Sequence, residues 1–220
     1  MQDTDAKPSE RVLDPIARVS EILFGLIMAL TFTGTLGVAT AGREDVRELL
    51  IGMIGCNLAW GIVDAVMFLM SSMTERGRDL VTMREVRAAA SPEQAHAVIA
   101  SAISPMMTSL LTNEDVERVR QGVLQMQALP PAPTLTRDDW RGALGVFLLV
   151  FLSTFPIVIP FIVFRNVQLA MRTSNLVAIV MLFACGYFLA RHGGYHPLRA
   201  GLSMVVLGIL LVGIAIALGG

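Results

Sequence analysis

Residues 52–78 read GMIGCNLAWGIVDAVMFLMSSMTERGR. They overlap an apolar run, 49–72, that is long enough to cross a bilayer as a helix, which takes about 20 mostly apolar residues. Yet Asn57 and Asp64 stand in its middle, with Met53, Met67, Met70 and Met73 around them. An ionisable group at mid-bilayer is costly and is kept where it has a partner or lines a hydrated path. Reading this run as a membrane helix decides the fold, and Asp64 decides where function is sought.

The rest of the chain follows the same pattern. Of 220 residues, 54% are hydrophobic and 16% are charged, whereas a soluble domain carries roughly 25% charged residues. Five apolar runs, 21–40, 49–72, 142–164, 174–190 and 200–218, hold few charges. The expectation is an all-α polytopic membrane protein with five transmembrane helices. It divides into a cytoplasmic N-terminal segment (1–20), helices 1 and 2 (21–72), a cytoplasmic helical insert (73–141) and helices 3 to 5 (142–218). The net charge of −1 gives no sign of a nucleic-acid partner. Cys56 and Cys185 both fall inside apolar runs and read as small buried hydrophobes, not as a disulfide.

Orientation follows from Lys and Arg in the connections. With the N-terminus in the cytoplasm, thirteen basic residues fall on that side and four on the other. The expected location is the cell (inner) membrane, multi-pass, with the C-terminus on the opposite side. The first run ends in Ala39-Thr40-Ala41, the small-x-small form of a signal-peptidase site. A long polar leader, a run longer than a usual signal core, and Arg18 and Glu21 at its edge favour a retained helix.

Local signals divide the insert. Ser91-Pro92-Glu93-Gln94 has a serine cap, proline at the first helical position and Gln94 placed for a capping box. Thr112-Asn113-Glu114-Asp115 is a second start signal, and its helix runs until Pro130-Pro131-Ala132-Pro133 stops it. The apolar positions Val116, Val119, Val123, Leu124 and Met126 lie roughly on one face. In the third run, Pro156 and Pro160 are four apart on one face, which predicts a kinked or locally unwound helix. Gly201, Gly208, Gly213 and Ser203 allow the last run to approach a neighbour closely.

Polar groups in the membrane form a pattern. Asn57, Asp64 and Ser71 are seven apart and stack along one stripe, flanked by Trp60 and Met67. A carboxylate, an amide oxygen and a thioether on one stripe can replace part of the hydration shell of a divalent cation, and the thioether favours transition metals. Glu21 lies near the same end of the second helix if the first two are antiparallel. Asp64 as helix-to-helix glue and Glu21 as an ordinary N-terminal acid are the plainer readings. Glu93 and His96, three apart on a helix, form a second candidate for cytoplasmic metal binding. No paired-His motif or serine–histidine arrangement on facing helices is present, so an enzyme is not expected.

These residues resemble the vacuolar iron transporter (VIT) family. Asn57-Leu58-Ala59, Ser71 and residues 72–75 match the second span of that family. Glu21-Ile22-Leu23-Phe24-Gly25 stands where its first span opens with an acid, and Pro156 and Pro160 resemble its third-span proline pair. The sequence departs at Phe68-Leu69, where the family has Glu-Tyr, and in an insert richer in arginine than glutamate. The resemblance implies a homodimer that exchanges protons for Fe2+ or Mn2+ and moves metal out of the cytosol. Glu21, Asn57, Asp64 and Met67 would lie on the path, with no permanently bound cofactor. Bilayer lipid, metal ions, protons and a second copy are then the partners. The alternative is a non-transporting membrane structural or assembly protein whose insert binds a protein partner.

Overall fold

The computed structural model describes residues 15–34 and 43–217. All the secondary structure among them is helical: α1 (Pro15–Gly34), α2 (Arg43–Ala88), α3 (Pro92–Ala102), α4 (Pro105–Thr108), α5 (Asn113–Gln125), α6 (Arg137–Ser153), α7 (Phe155–Val163), α8 (Val167–Gly193) and α9 (Pro197–Ala217). Ala39-Thr40-Ala41 and most of the N-terminal segment lie outside the described residues. The segments Glu44–Ala88, Arg137–Val163 and Val167–Gly193 are long and apolar enough to cross a membrane, and Val19–Thr31 and Pro197–Leu211 are shorter apolar helices. The protein is an all-helical, multi-pass membrane protein.

The second apolar run does not end at Ser72. It continues without interruption as the 46-residue α2, through the arginine-rich stretch to Ala88. No glycine–proline punctuation interrupts residues 73–88, and Gly77 alone costs only about 1 kcal/mol in a helix. The described residues divide into two compact units, one up to Phe68 and from Asp138 onwards, the other Leu69–Arg137.

In the first unit, α8 is the centre, packed against α1, α7 and α9. Leu26, Ala29, Leu30, Met53, Ile157, Val158, Ala178, Leu182 and Cys185 form its main core. Small residues let helices touch: a Cβ at Gly201 would meet the Phe183 ring at 2.7 Å, and one at Gly208 would meet Leu182 at 2.5 Å. Gly213, expected to act in the same way, has nothing within 4 Å. Cys185 is buried as expected, but Cys56 is exposed, and both thiols are free. Cys56 lies on α2 with its Sγ 3.3 Å from Met28 Sδ.

The third apolar run is interrupted at Thr154, two residues before Pro156, and α7 continues through Pro160. Pro156 lacks an N–H, so it suits the first turn of a new helix better than the interior of an old one. Thr154 accepts from the N–H of Ile157 at 3.0 Å and of Val158 at 3.2 Å, which starts α7. The unwinding predicted at the proline pair therefore falls on its N-terminal side.

In the second unit, Val86, Ala95, Ile99 and Val116 form a small core, supported by Val123 and Leu111. Val119, Leu124 and Met126 of the predicted apolar face remain exposed. Both predicted helix starts are present. Ser91 caps α3, with Gln94 Oε1 accepting from the N–H of Ala90 at 3.0 Å. Thr112 and Asp115 form a reciprocal capping box at α5. Two arginines of α2 hold the proline-rich return segment by its carbonyls, and a third holds the end of α5. Arg76 donates to Thr134 O at 2.8 Å, Arg84 to Pro130 O and Pro131 O at 3.0 and 2.8 Å, and Arg87 to Val123 O at 3.0 Å and to Met126 O.

Candidate functional site

The polar groups of α1, α2 and α6 converge in the first unit. On α2 the fully buried face is Met53 and Asn57, each 0% exposed, followed one turn on by buried Gly61. This i, i+4 spacing is the inward stripe of a helix. At Gly61 the Phe147 ring of α6 comes within 3.1 Å of where a Cβ would stand. Asp64 lies on the same side, half-buried.

Asp64 lies near enough to Glu21 of α1 for the two carboxyl groups to interact. Two carboxylates offer acceptors only, so a proton or a cation is what could join them. The second oxygen of Glu21, Oε2, is buried and has no hydrogen-bond partner. One turn along α1, a Cβ on Gly25 would fall 2.0 Å from Ser153 Oγ and 2.9 Å from Val150 O. Only glycine therefore lets α1 lie against the interrupted end of α6.

Asn57 serves that same end. Its Nδ2 donates to Val150 O at 2.8 Å, and Phe151 O is 3.5 Å away. Val150 O also accepts from Ser153 Oγ at 2.7 Å, and Phe151 O from Thr154 Oγ1 at 2.8 Å. Beyond the break, Ser174 of α8 donates to Ile157 O at 2.8 Å. Irregular backbone at membrane depth is tolerated where neighbouring side chains re-satisfy it, and these four side chains do so. The other atom of the amide, Asn57 Oδ1, is buried without a partner. An orphaned buried acceptor costs roughly 1–3 kcal/mol. Two such oxygens on adjoining helices, Glu21 Oε2 and Asn57 Oδ1, have unused capacity to accept a proton donor or a cation.

The other residues singled out from the sequence are placed differently. Met67 is 54% exposed and Trp60 47%. Ser71 is also exposed, so the stripe of α2 turns outwards beyond Asp64. Glu93 is exposed, while His96 Nε2 is 2.8 Å from Glu117 Oε2 of α5. Among the described residues no group of three His, Cys, Asp or Glu side chains is arranged to hold a metal ion. Sequence reasoning passed over Gly25 as a packing position and over Ser153 and Thr154 altogether. The available signal was a hydroxyl pair directly before the first proline of an apolar run.

The architecture is that of a helical, multi-pass membrane protein with a buried polar site between its helices. The VIT family model matches residues 72–220. The chain belongs to that family, whose members are membrane transporters of metal ions. The matched residues begin at Ser72 and so lie wholly C-terminal to Glu21, Asn57 and Asp64. No curated protein matches the chain.

Proposed function

We propose that the protein is a homodimeric five-span transporter that moves Fe2+ or Mn2+ out of the cytosol in exchange for protons. The observation that carries this reading is the carboxyl pair Glu21–Asp64, with Glu21 Oε2 buried and unpartnered beside it. With no metal bound, the pair holds a proton. A divalent cation arriving at the pair supplies the positive charge, and the proton leaves. When the cation departs, the proton returns. Metal and proton thus compete for the same oxygens, which is the requirement for exchange.

Asn57 Oδ1 adds a neutral oxygen to the path. It lies about 10 Å from Asp64 along the helix axis, given a rise of about 1.5 Å per residue. Met67, one turn beyond Asp64, is exposed on a single copy; at an interface with a second copy its thioether adds a soft donor that favours transition metals over magnesium or calcium. The large exposed side chains of α2, among them Ile62, Val66, Met67 and Met70, give a second copy an apolar surface to cover.

Flux into proteoliposomes under a pH gradient tests the proposal. Wild-type protein is expected to carry Mn2+ and Fe2+ and to move protons in the opposite direction. Asp64→Asn and Glu21→Gln are each expected to lower metal flux at least about ten-fold, in line with loss of a charge-compensating group. Flux absent from the wild type, or unchanged in both variants, excludes the mechanism.

A further inference from the structure

A cleft of about 540 Å3 opens where α8 turns into α9, lined by Gly194, Tyr195, His196, Arg199, Ala200 and Ser203. We propose that this cleft binds the headgroup phosphate of an anionic phospholipid. Its volume falls within the roughly 300–1,000 Å3 typical of small-molecule sites.

Charge is the first argument. No Asp or Glu occurs from Trp140 to Gly220. Arg191 and Arg199 on either side of the turn therefore have no carboxylate within their own half of the chain. Neither makes an ion pair among the described residues. His196 lies in the cleft with Arg199. His192 is turned away, with Nδ1 2.8 Å from Phe188 O. Among the described residues the turn carries positive charge with no counter-ion, which is the pattern of an anion site.

The backbone makes the turn tight. Gly194 adopts φ 76°, a left-handed conformation that glycine accepts freely. The N–H of Tyr195 then closes α8 on Ala190 O at 2.9 Å. Within two residues the chain starts α9 at Pro197, where Ala200 N donates to His196 O at 3.1 Å. The first-turn N–H groups of Leu198 and Arg199 are left over, as at any helix start. They are backbone donors at the same turn as Arg199.

The surroundings select a lipid over a free phosphate. The 27 residues of α8 span about 40 Å, more than the roughly 30 Å hydrocarbon core. An end of α8 therefore reaches headgroup depth. Tyr195 is 73% exposed there, as befits an amphipathic ring at the interface. Leu198 and Leu202, four apart on α9, are 65% and 59% exposed. They offer an apolar face to acyl chains directly beside the phosphate donors. A soluble anion has no use for that face.

Native mass spectrometry of the full-length protein, with phosphatidylglycerol and phosphatidylcholine added in turn, tests the site without reference to metal transport. The wild type is expected to retain phosphatidylglycerol preferentially. The double variant Arg191→Gln/Arg199→Gln is expected to lose it by roughly ten-fold or more. Arg191→Lys/Arg199→Lys, which keeps the charge, and Arg172→Gln, near the other end of α8, should bind it like the wild type. Glycerol 3-phosphate should leave the lipid in place. Equal retention of the two lipids, wild-type binding by the Gln double variant, loss in the Lys variant, or displacement by glycerol 3-phosphate overturns the proposal.

Discussion

Asn57 Nδ2 on α2 donates to the carbonyl oxygen of Val150 at the end of α6, 2.8 Å away, with Asn57 fully buried. The bond joins the helix that carries Asp64 to the point where the third apolar run breaks. It also explains why an amide stands in the middle of an apolar helix: the break leaves carbonyls that need donors. Asn57→Leu removes the donor and is expected to lower stability by about 1 kcal/mol, within the range found for hydrogen bonds between membrane helices. Thermal unfolding in detergent measures this. An unchanged midpoint would mean that Ser153 and Thr154 alone satisfy the break.

Gly25 and Ser153 make a second, steric link to the same break. A methyl group at Gly25 would lie 2.0 Å from Ser153 Oγ and 2.9 Å from Val150 O. The first contact is with a side chain and can be relieved; the second is with backbone and cannot. Gly25→Ala is therefore expected to destabilise by about 1–3 kcal/mol, the usual cost of overpacking. Ser153→Ala in the same chain should recover part of the loss, not all. Full recovery, or no loss, would show that α1 does not press on α6 there.

The helices were largely legible from composition, because lipid and backbone chemistry leave few options for apolar runs of this length. The helix starts at Ser91 and Thr112 were legible because capping is local chemistry. The continuity of α2 was not, since the change from apolar to charged residues after Ser72 marks a change of solvent and not of backbone. The break at Thr154 was misplaced by the proline pair, because a proline also makes a good first turn and the chain used Pro156 in that way. In the site, Asp64 announced itself by its cost. Glu21 as its neighbour was inferred from an antiparallel pairing of the first two helices, and the two carboxyl groups lie close enough to interact. The second role of Asn57, holding α6, could not be read, since its partner is a backbone carbonyl with no signature in sequence.

The proline-rich return segment is held by arginines because prolines supply acceptors without donors. Arg84 alone engages both Pro130 O and Pro131 O. Arg84→Ala should free this segment, and limited proteolysis of the full-length protein should cut residues 127–134 several-fold faster than in the wild type. Arg118→Ala, whose exposed guanidinium pairs, among the described residues, with Glu114 and Asp115 of its own helix, should leave the rate unchanged. Equal cleavage in both variants would argue against a held segment.

Glu117 joins α3 to α5. Hydrogen bonds from Arg120 first, then from His96 and Gln121, pull its carboxyl well below the ordinary value of 4.5. Arg120 Nη2 and His96 Nε2 each lie 2.8 Å from a Glu117 oxygen. The folded state therefore binds this proton less readily than the unfolded chain. The stabilisation is fully present above pH 4.5 and is lost as pH falls from there towards the lowered folded value. Hydrogen exchange of the α3 and α5 amides in the full-length protein should accelerate as the pH is lowered below 4.5, after correction for intrinsic rates. Glu117→Gln should start less protected and flatten that response. A variant that keeps the wild-type acid response would assign it to other carboxylates, such as Asp115, which its Thr112 capping bonds also hold below the usual range.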